Sequence, residues 1–593
     1  MPLTWEIGAL TDEQTLAIET PGNVFLVACP GSGKTRTLAY KVASELSDLD
    51  SRKKFVIAIT YTNKAAYEIE DRIATLGVDT EQLWIGTIHS FCLEWIIKPY
   101  SVYHPDLAGG FSVINSYESE EIIKELCSKK GLSIYDCGFY YTGSGYELAC
   151  LDQSKHAKIK AVLATYFEEL KFTNQLDFES ILKYAHELMQ NNPSIAKILS
   201  SIFEFIAVDE YQDTKLIQYE ILASIISAGQ ETPRSFIVGD PNQEIFSSLG
   251  GYAMDSKELS TLTQKPYTLL KLSKNFRSSA RIVSYFENFS TESTTMVAAS
   301  PERDYPSEIT LNQTIEVDNL AGEIARLVNH SVKDLGIEQS EICILAPWWI
   351  HLASMTRTLV QNLPEYEFDG PGLVPFDRDR DNFWYKVAKI ALTHASPEMY
   401  VRRLRWANDV LSELDACGAD VSGLHGRDYL RASNSLDLDE NNGIAYLRTY
   451  FESIMQLLKI DYRLFTTLTN QHSAFFASSE ARVNKLVNEG NAYVQDIEVF
   501  RRVFRDRTGI TVSTIHGVKG GEFDTVIAYG LLHDIVPHFA DPSPIDSANK
   551  LLYVLSSRAR KNLHLIAERR TRRFGSYETS SPLKNISYIY DTN

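Results

Sequence analysis

Val24-Phe25-Leu26-Val27-Ala28-Cys29-Pro30-Gly31-Ser32-Gly33-Lys34-Thr35 is the stretch whose reading decides the fold. It opens as an apolar run that predicts a buried strand and turns through two glycines. It then runs into Arg36-Thr37-Leu38-Ala39-Tyr40-Lys41-Val42-Ala43, which predicts an amphipathic helix. Strand, glycine loop and helix in that order are what phosphate binding requires. Gly31 and Gly33, with Ser32 between them, let the backbone curl so that its N–H groups and the helix N-terminus converge on phosphate oxygens. Lys34 is then placed to reach the β- and γ-phosphates, and the Thr35 hydroxyl to bind Mg²⁺. Ala28 stands where the strict pattern has glycine, so a second signal is needed.

Val208-Asp209-Glu210-Tyr211-Gln212-Asp213 supplies it. Phe205-Ile206-Ala207-Val208 is another short apolar run, and it ends in two consecutive carboxylates. At a strand end Asp209 is placed to hold the metal, and Glu210 to orient and deprotonate an attacking water. Either acid alone would pass for an exposed turn. Downstream of a phosphate loop, the pair implies an ATPase that uses Mg²⁺.

The chain has 593 residues, too many for one core, which suggests about three to five domains or subdomains. Apolar residues make up 44% and charged residues 23%, the balance of an ordinary globular protein. No apolar run approaches the roughly 18 residues of a membrane span, and the N-terminus lacks a basic-then-apolar leader. The expectation is a cytoplasmic protein with no membrane partner. Seven cysteines without a C-x-x-C pair predict reduced thiols rather than a zinc site. The net charge of −19 excludes a surface that coats nucleic acid generally, though not a narrow local track. Basic clusters at Arg402, Arg403 and Arg405, at Arg501, Arg502, Arg505 and Arg507, and at Arg569, Arg570, Arg572 and Arg573 read first as solvated faces.

Further segments follow in a telling order: Leu10-Thr11-Asp12-Glu13-Gln14, Thr60-Tyr61-Thr62-Asn63-Lys64-Ala65-Ala66, Gly86-Thr87-Ile88-His89-Ser90-Phe91 and Val238-Gly239-Asp240-Pro241-Asn242-Gln243. After these come Asn275-Phe276-Arg277-Ser278, Ser513-Thr514-Ile515-His516-Gly517-Val518-Lys519-Gly520-Gly521-Glu522-Phe523 and Tyr553-Val554-Leu555-Ser556-Ser557-Arg558-Ala559. In order and spacing the set resembles the superfamily 1A DNA helicases of the UvrD/Rep/PcrA type, over nearly the whole chain. The resemblance implies that Gln14 reads the adenine edge, that Arg36 and Phe276 stack on the nucleotide and that Glu522 contacts the ribose. Gln243 joins the catalytic set. It also implies that Tyr61, Thr62, Asn63, Thr87, His89, Ser90, Thr514 and His516 line a single-stranded DNA path moving 3′ to 5′. Phosphoryl transfer independently calls for positive charge on the γ-phosphate, and arginines from a second domain, here Arg277 and Arg558, would deliver it across a cleft.

The motif positions predict an α/β fold of two RecA-like P-loop cores, parallel sheets flanked by helices, each with a mostly helical insertion. Core 1A takes 1–91 and 196–275 around insertion 1B at 92–195. Core 2A takes 276–375 and 506–593 around insertion 2B at 376–505, with 351–381 as the joint. Glu118 to Lys130 and Lys155 to Lys171 carry helical periodicity. Only 560–593 follow the last motif, which leaves no room there for a fused nuclease.

One departure stands out. Where the family carries an aromatic residue and then Arg after Gln243, this chain has Ser248 and Leu249, so a base-stacking platform is missing unless Phe246 or Tyr252 replaces it. That erosion, with the compact length, is similar to the short UvrD-like proteins of anti-phage systems such as Gabija, whose helicase-like subunit joins an OLD-type nuclease. A DNA-sensing regulatory ATPase with little unwinding and a DNA repair helicase stay open as alternatives.

Overall fold

The structure, a computed structural model, describes residues 8–114, 116–292, 295–370, 374–376, 382–488, 492–505, 508–572 and 575–592. Runs such as Phe205-Ile206-Ala207-Val208 are apolar at every position, which suits strands covered on both faces rather than one. The first sheet contains β1 (Val24–Ala28), β2 (Phe55–Thr60), β3 (Leu83–Thr87), β4 (Phe203–Asp209), β5 (Arg234–Gly239) and β6 (Thr268–Leu272). Its order is β6-β1-β5-β4-β2-β3, parallel throughout. Leu38 and Val42 of the helix Lys34–Ser47, with Ile69 and Ile73 of Asn63–Thr75, close one face. Leu182, Leu188 and Leu199, together with Ile221 and Ile225 of the helix Leu216–Ala228, close the other.

The second sheet holds β7 (Ile309–Asn312), β8 (Ile342–Ala346), β9 (Phe368–Asp369), β10 (Ile510–Thr514), β11 (Phe523–Ala528) and β12 (Ala559–Ile566). Its order is β7-β12-β11-β8-β10-β9, again all parallel. Helices Leu320–Asn329 and Trp349–Asn362 cover one side, Ala280–Glu287 and Pro544–Ser556 the other. Two parallel-sheet α/β cores, the expected architecture, are present.

Each core is interrupted in sequence by a smaller body. Helices Ser116–Ser128 and His156–Phe172 enclose Cys127, Cys137, Leu163 and Tyr166. The same region also contains an antiparallel hairpin, Phe139–Thr142 with Gly145–Leu148, which helical periodicity did not predict. Its alternating aromatics and glycine turn favour the hairpin: Phe139 and Tyr146 pack on Phe167 of the second helix. Helix Phe178–Asn191, also within 92–195, joins the core beneath the first sheet. The other body is, among the described residues, all helix, built around Trp384, Phe451 and Phe475, and its Arg405 reaches Asp71 of the first core at 2.8 Å.

The basic clusters are largely neutralised locally. Arg405 pairs with Asp71 and Glu70, Arg501 and Arg505 with Glu498, Arg569 with Glu316, and Arg572 with Asp534. Arg403 is buried in the helical body; Arg507 and Arg573 lie outside the described residues, as do 371–373 and 377–381 of the expected joint. All seven cysteines are free thiols, and among the described residues no helix is long and apolar enough to cross a membrane.

Candidate functional site

In open parallel sheets, ligands gather beyond the carboxyl ends of the strands, and most of the quoted motifs emerge there. The phosphate loop follows β1, Tyr61 and Thr62 follow β2, His89 and Ser90 follow β3, Glu210 follows β4, Asp240 follows β5, and Asn275 to Arg277 follow β6. Thr514 ends β10 in the second sheet.

Gly31 and Gly33 adopt φ of 68° and 80°, the left-handed region that glycine enters without penalty. Space forbids a side chain as well. A Cβ on Gly31 would lie 2.6 Å from the Arg277 Cβ, and one on Gly33 2.7 Å from Gln14 Nε2. Gln14 is fixed by a reciprocal cap with Thr11 and donates from Nε2 to the Ser32 carbonyl at 2.9 Å. Asn275 donates to the Pro30 carbonyl at 2.7 Å, and the Phe276 N–H to the Gly31 carbonyl at 2.9 Å. The segment that carries Arg277 is thereby clamped onto the loop. Thr35 is partly exposed at the helix start, Arg36 lies exposed beside the Tyr40 ring, and Phe276 is exposed.

Lys34 Nζ stands 3.2 Å from Glu210 Oε2. Burial alone would lower the ammonium's pKa, but Glu210, Asp240 and Asp209 outweigh it and raise it. Burial, followed by the Glu210 charge, drives Asp209 up. Burial pushes Glu210 the same way, yet Lys34 and then Lys519 hold its carboxyl below the usual range. Glu210 also accepts from Gln212 Nε2 at 2.5 Å, and its own backbone has φ of 52°. For a non-glycine residue that is a strained conformation, of the kind that gathers at functional sites.

A hydrogen-bonded line crosses from the first core to the second. Gln243 Nε2 donates to Asp240 Oδ2 at 2.7 Å, and Arg558 Nη2 donates to Gln243 Oε1 at 2.8 Å. Arg558 is only 2% exposed and also donates to the carbonyls of Val554 and Gly521. Burial, then the neighbouring Arg277, works against its charge. Arg277 donates to Glu522 Oε2 at 2.7 Å and to the Ser557 carbonyl at 3.0 Å. Lys519 donates to Asp213 Oδ2 at 2.5 Å and to the Gln243 carbonyl at 2.8 Å. Asp240, Asp213 and Lys519 were quoted inside motifs without roles. The available signal was Asp240's position at a strand end, the same signal that singled out Asp209.

Along the opposite rim Tyr61 is 47% exposed and stacks on Phe246, with ring centroids 5.4 Å apart. Phe246 meets His516 at 5.4 Å on another side, and Lys519 Nζ lies 5.4 Å from its ring centre. His516 Nε2 is 3.2 Å from the Ile245 carbonyl. Thr62 caps the helix Asn63–Thr75, and the Asn63 side chain lies outside the described residues. The Thr87 and Ser90 hydroxyls lie 3.1 Å apart, and Thr514 Oγ1 accepts from the Gly517 N–H. His89 turns inward: its ring packs on Phe178, and burial, with Lys215, pushes its pKa down to about 3. Ser248 and Leu249 are exposed, so no ring occupies those positions. Phe246 instead fills the seam between the two cores, while Tyr252 is exposed and its hydroxyl donates to Glu258.

A phosphate loop beside Arg277, at the end of the first sheet, and linked through Asp240 and Gln243 to Arg558 of a second parallel-sheet core defines a two-core P-loop ATPase. Residues 10–254 match the UvrD/REP helicase N-terminal domain, and residues 465–570 match the UvrD-like helicase C-terminal domain. Together these segments take in more than half of the chain. The chain belongs to the UvrD/REP-like helicases and is an ATP-hydrolysing DNA helicase by class. Among curated relatives, the ATP-dependent DNA helicase PcrA of Bacillus subtilis is 22% identical over 98% of this chain and 85% of its own length. The ATP-dependent DNA helicase Rep of Escherichia coli is 24% identical over 97% of this chain and 93% of its own. A probable DNA helicase II homolog of Rickettsia felis is 22% identical over 98% and 95%.

Proposed function

We propose that the chain is a translocase that moves 3′ to 5′ along single-stranded DNA and hydrolyses ATP in the cleft between its cores. The observation that carries this reading is the line Asp240–Gln243–Arg558, which joins the first core's acids to an arginine of the second. Gly31, Ser32, Gly33 and Lys34 cradle the phosphates, Gln14 reads the base edge, Arg36 and Phe276 stack on the base, and Glu522 meets the ribose. Thr35 and Asp209 offer hard oxygen donors beside an anion cradle, a donor set that fits Mg²⁺. When bound, that ion neutralises phosphate charge. When a γ-phosphate takes Lys34, Glu210 is released to accept a proton from the attacking water. The water oxygen bonds to the γ-phosphorus as the bond to the β–γ bridging oxygen breaks, and Arg277 and Arg558 stabilise the spread charge.

The strand is proposed to cross Tyr61, Thr62, Asn63, Thr87, Ser90, Thr514 and His516, with His89 beneath it. Tyr61→Ala and Phe246→Ala are each expected to weaken binding of a labelled oligonucleotide by about 1–3 kcal/mol at fixed salt, by anisotropy. Leu249→Ala is expected to leave it unchanged. Polarity is read from tailed duplexes: a 3′ tail should support strand separation and a 5′ tail should not. Separation from the 5′ tail alone would contradict the direction.

The open positions at Ser248 and Leu249 favour a second reading, a DNA-sensing ATPase that unwinds little and serves an OLD-type nuclease in anti-phage defence. Recovery of such a nuclease in stoichiometric amount with the chain from its host would support it. Processive unwinding by the isolated chain would count against it and leave a repair helicase.

A further inference from the structure

The segments after β2, β3 and β4 enclose a cavity of about 60 Å³ behind the site. Tyr61 and Thr87 form its strand-facing wall, Glu210 its hydrolytic wall, and Leu222 lies on the helix Leu216–Ala228 at its back. Two buried polar atoms of the lining residues, His89 Nε2 and Asp213 Oδ1, have no hydrogen-bond partner in the protein. Buried polar atoms are normally satisfied, by protein or by ordered water. Roughly 10–15 Å³ of such space accommodates one water molecule, and a polar wall retains it. The cavity is therefore large enough for a small cluster, and these two atoms give it polar anchors in a lining that is otherwise largely apolar.

Its neighbours make the cavity more than packing. Asp213 shares one tight turn with Glu210, its N–H donating to the Glu210 carbonyl at 3.0 Å. Its Oδ2 is held by Lys519 of the second core at 2.5 Å. His89 belongs to the turn that Thr87 caps. A shift of that turn, or of Lys519, must therefore alter the cavity that Glu210 borders.

We propose that ordered water in this cavity bridges His89 Nε2 and Asp213 Oδ1, and that His89 is a positioning residue through which strand contact at Tyr61 and Thr87 sets Glu210 for hydrolysis. This inference rests on the translocase reading above. It differs from that reading in giving His89 a role in coupling and none in gripping DNA.

The test measures ATP turnover with and without saturating oligo(dT), together with the oligonucleotide dissociation constant. Leu222→Phe fills the cavity, and Leu222→Met is the volume control. Leu222→Phe should keep DNA-free turnover and DNA affinity while losing about tenfold in DNA-stimulated turnover; Leu222→Met should keep all three. His89→Phe should lose stimulation at unchanged DNA affinity, and His89→Gln, which returns a polar group to the cavity, should restore it. If Leu222→Phe does not fold, the His89 pair decides. Full stimulation in Leu222→Phe, or a His89→Phe defect confined to DNA affinity, would overturn the inference and leave the translocase standing. A wild-type chain whose hydrolysis ignores DNA would instead remove the translocase reading, and this inference with it.

Discussion

Arg558→Ala is expected to reduce ATP turnover by about 10³–10⁵, the range that an arginine aimed at a transferring phosphoryl group supplies. The side chain lies across the junction of the cores and ends on Gln243, which in turn holds Asp240. Its loss would remove positive charge from the cleft and release the Gln243 amide that holds Asp240. Because Arg558 is buried and also donates to the Gly521 and Val554 carbonyls, alanine should lower the melting temperature too. Turnover must therefore be compared at a temperature where circular dichroism shows the variant folded. Arg558→Lys separates charge from geometry: it keeps the cation but cannot reproduce the planar fork. It should remain well below wild type. Turnover near wild type in folded Arg558→Ala would mean that hydrolysis does not use Arg558.

The second large effect is expected from Glu210→Gln. Removing a positioned general base typically lowers a rate by about 10²–10⁴, and the amide keeps the shape of the side chain and the left-handed backbone. Nucleotide affinity should survive or rise, because the carboxylate that holds Lys34 at 3.2 Å is gone. Single-turnover hydrolysis and fluorescent-nucleotide binding, measured on the same preparation, separate the two effects. Loss of binding in parallel with loss of rate would make Glu210 a structural partner of Lys34 and nothing more.

Much of this was legible because the chemistry sits on strands with continuous apolar runs. The run that opens at Val24 is the strand Val24–Ala28, and the run before Asp209 also became a strand. What escaped depended on partners distant in sequence. Lys519 matters because it meets Asp213, and no local pattern announces an ion pair between residues so far apart. The inward turn of His89 depends on Phe178, which belongs to a helix assigned by sequence to the insertion but packed under the first sheet. The hairpin at Phe139–Leu148 was hidden between two helical segments because its strands are short and its alternation is carried mainly by aromatics. Phe246 could be singled out as a ring near an eroded position, but its seat between Tyr61 and His516 required both cores.

The most direct test of the central claim, that DNA-coupled hydrolysis occurs between the two cores, is ATP turnover by the purified chain with and without single-stranded DNA, beside Lys34→Ala. The account predicts strong stimulation by DNA in the wild type and no turnover above background in Lys34→Ala. Hydrolysis at the same rate with and without DNA, or undiminished in Lys34→Ala, would contradict it.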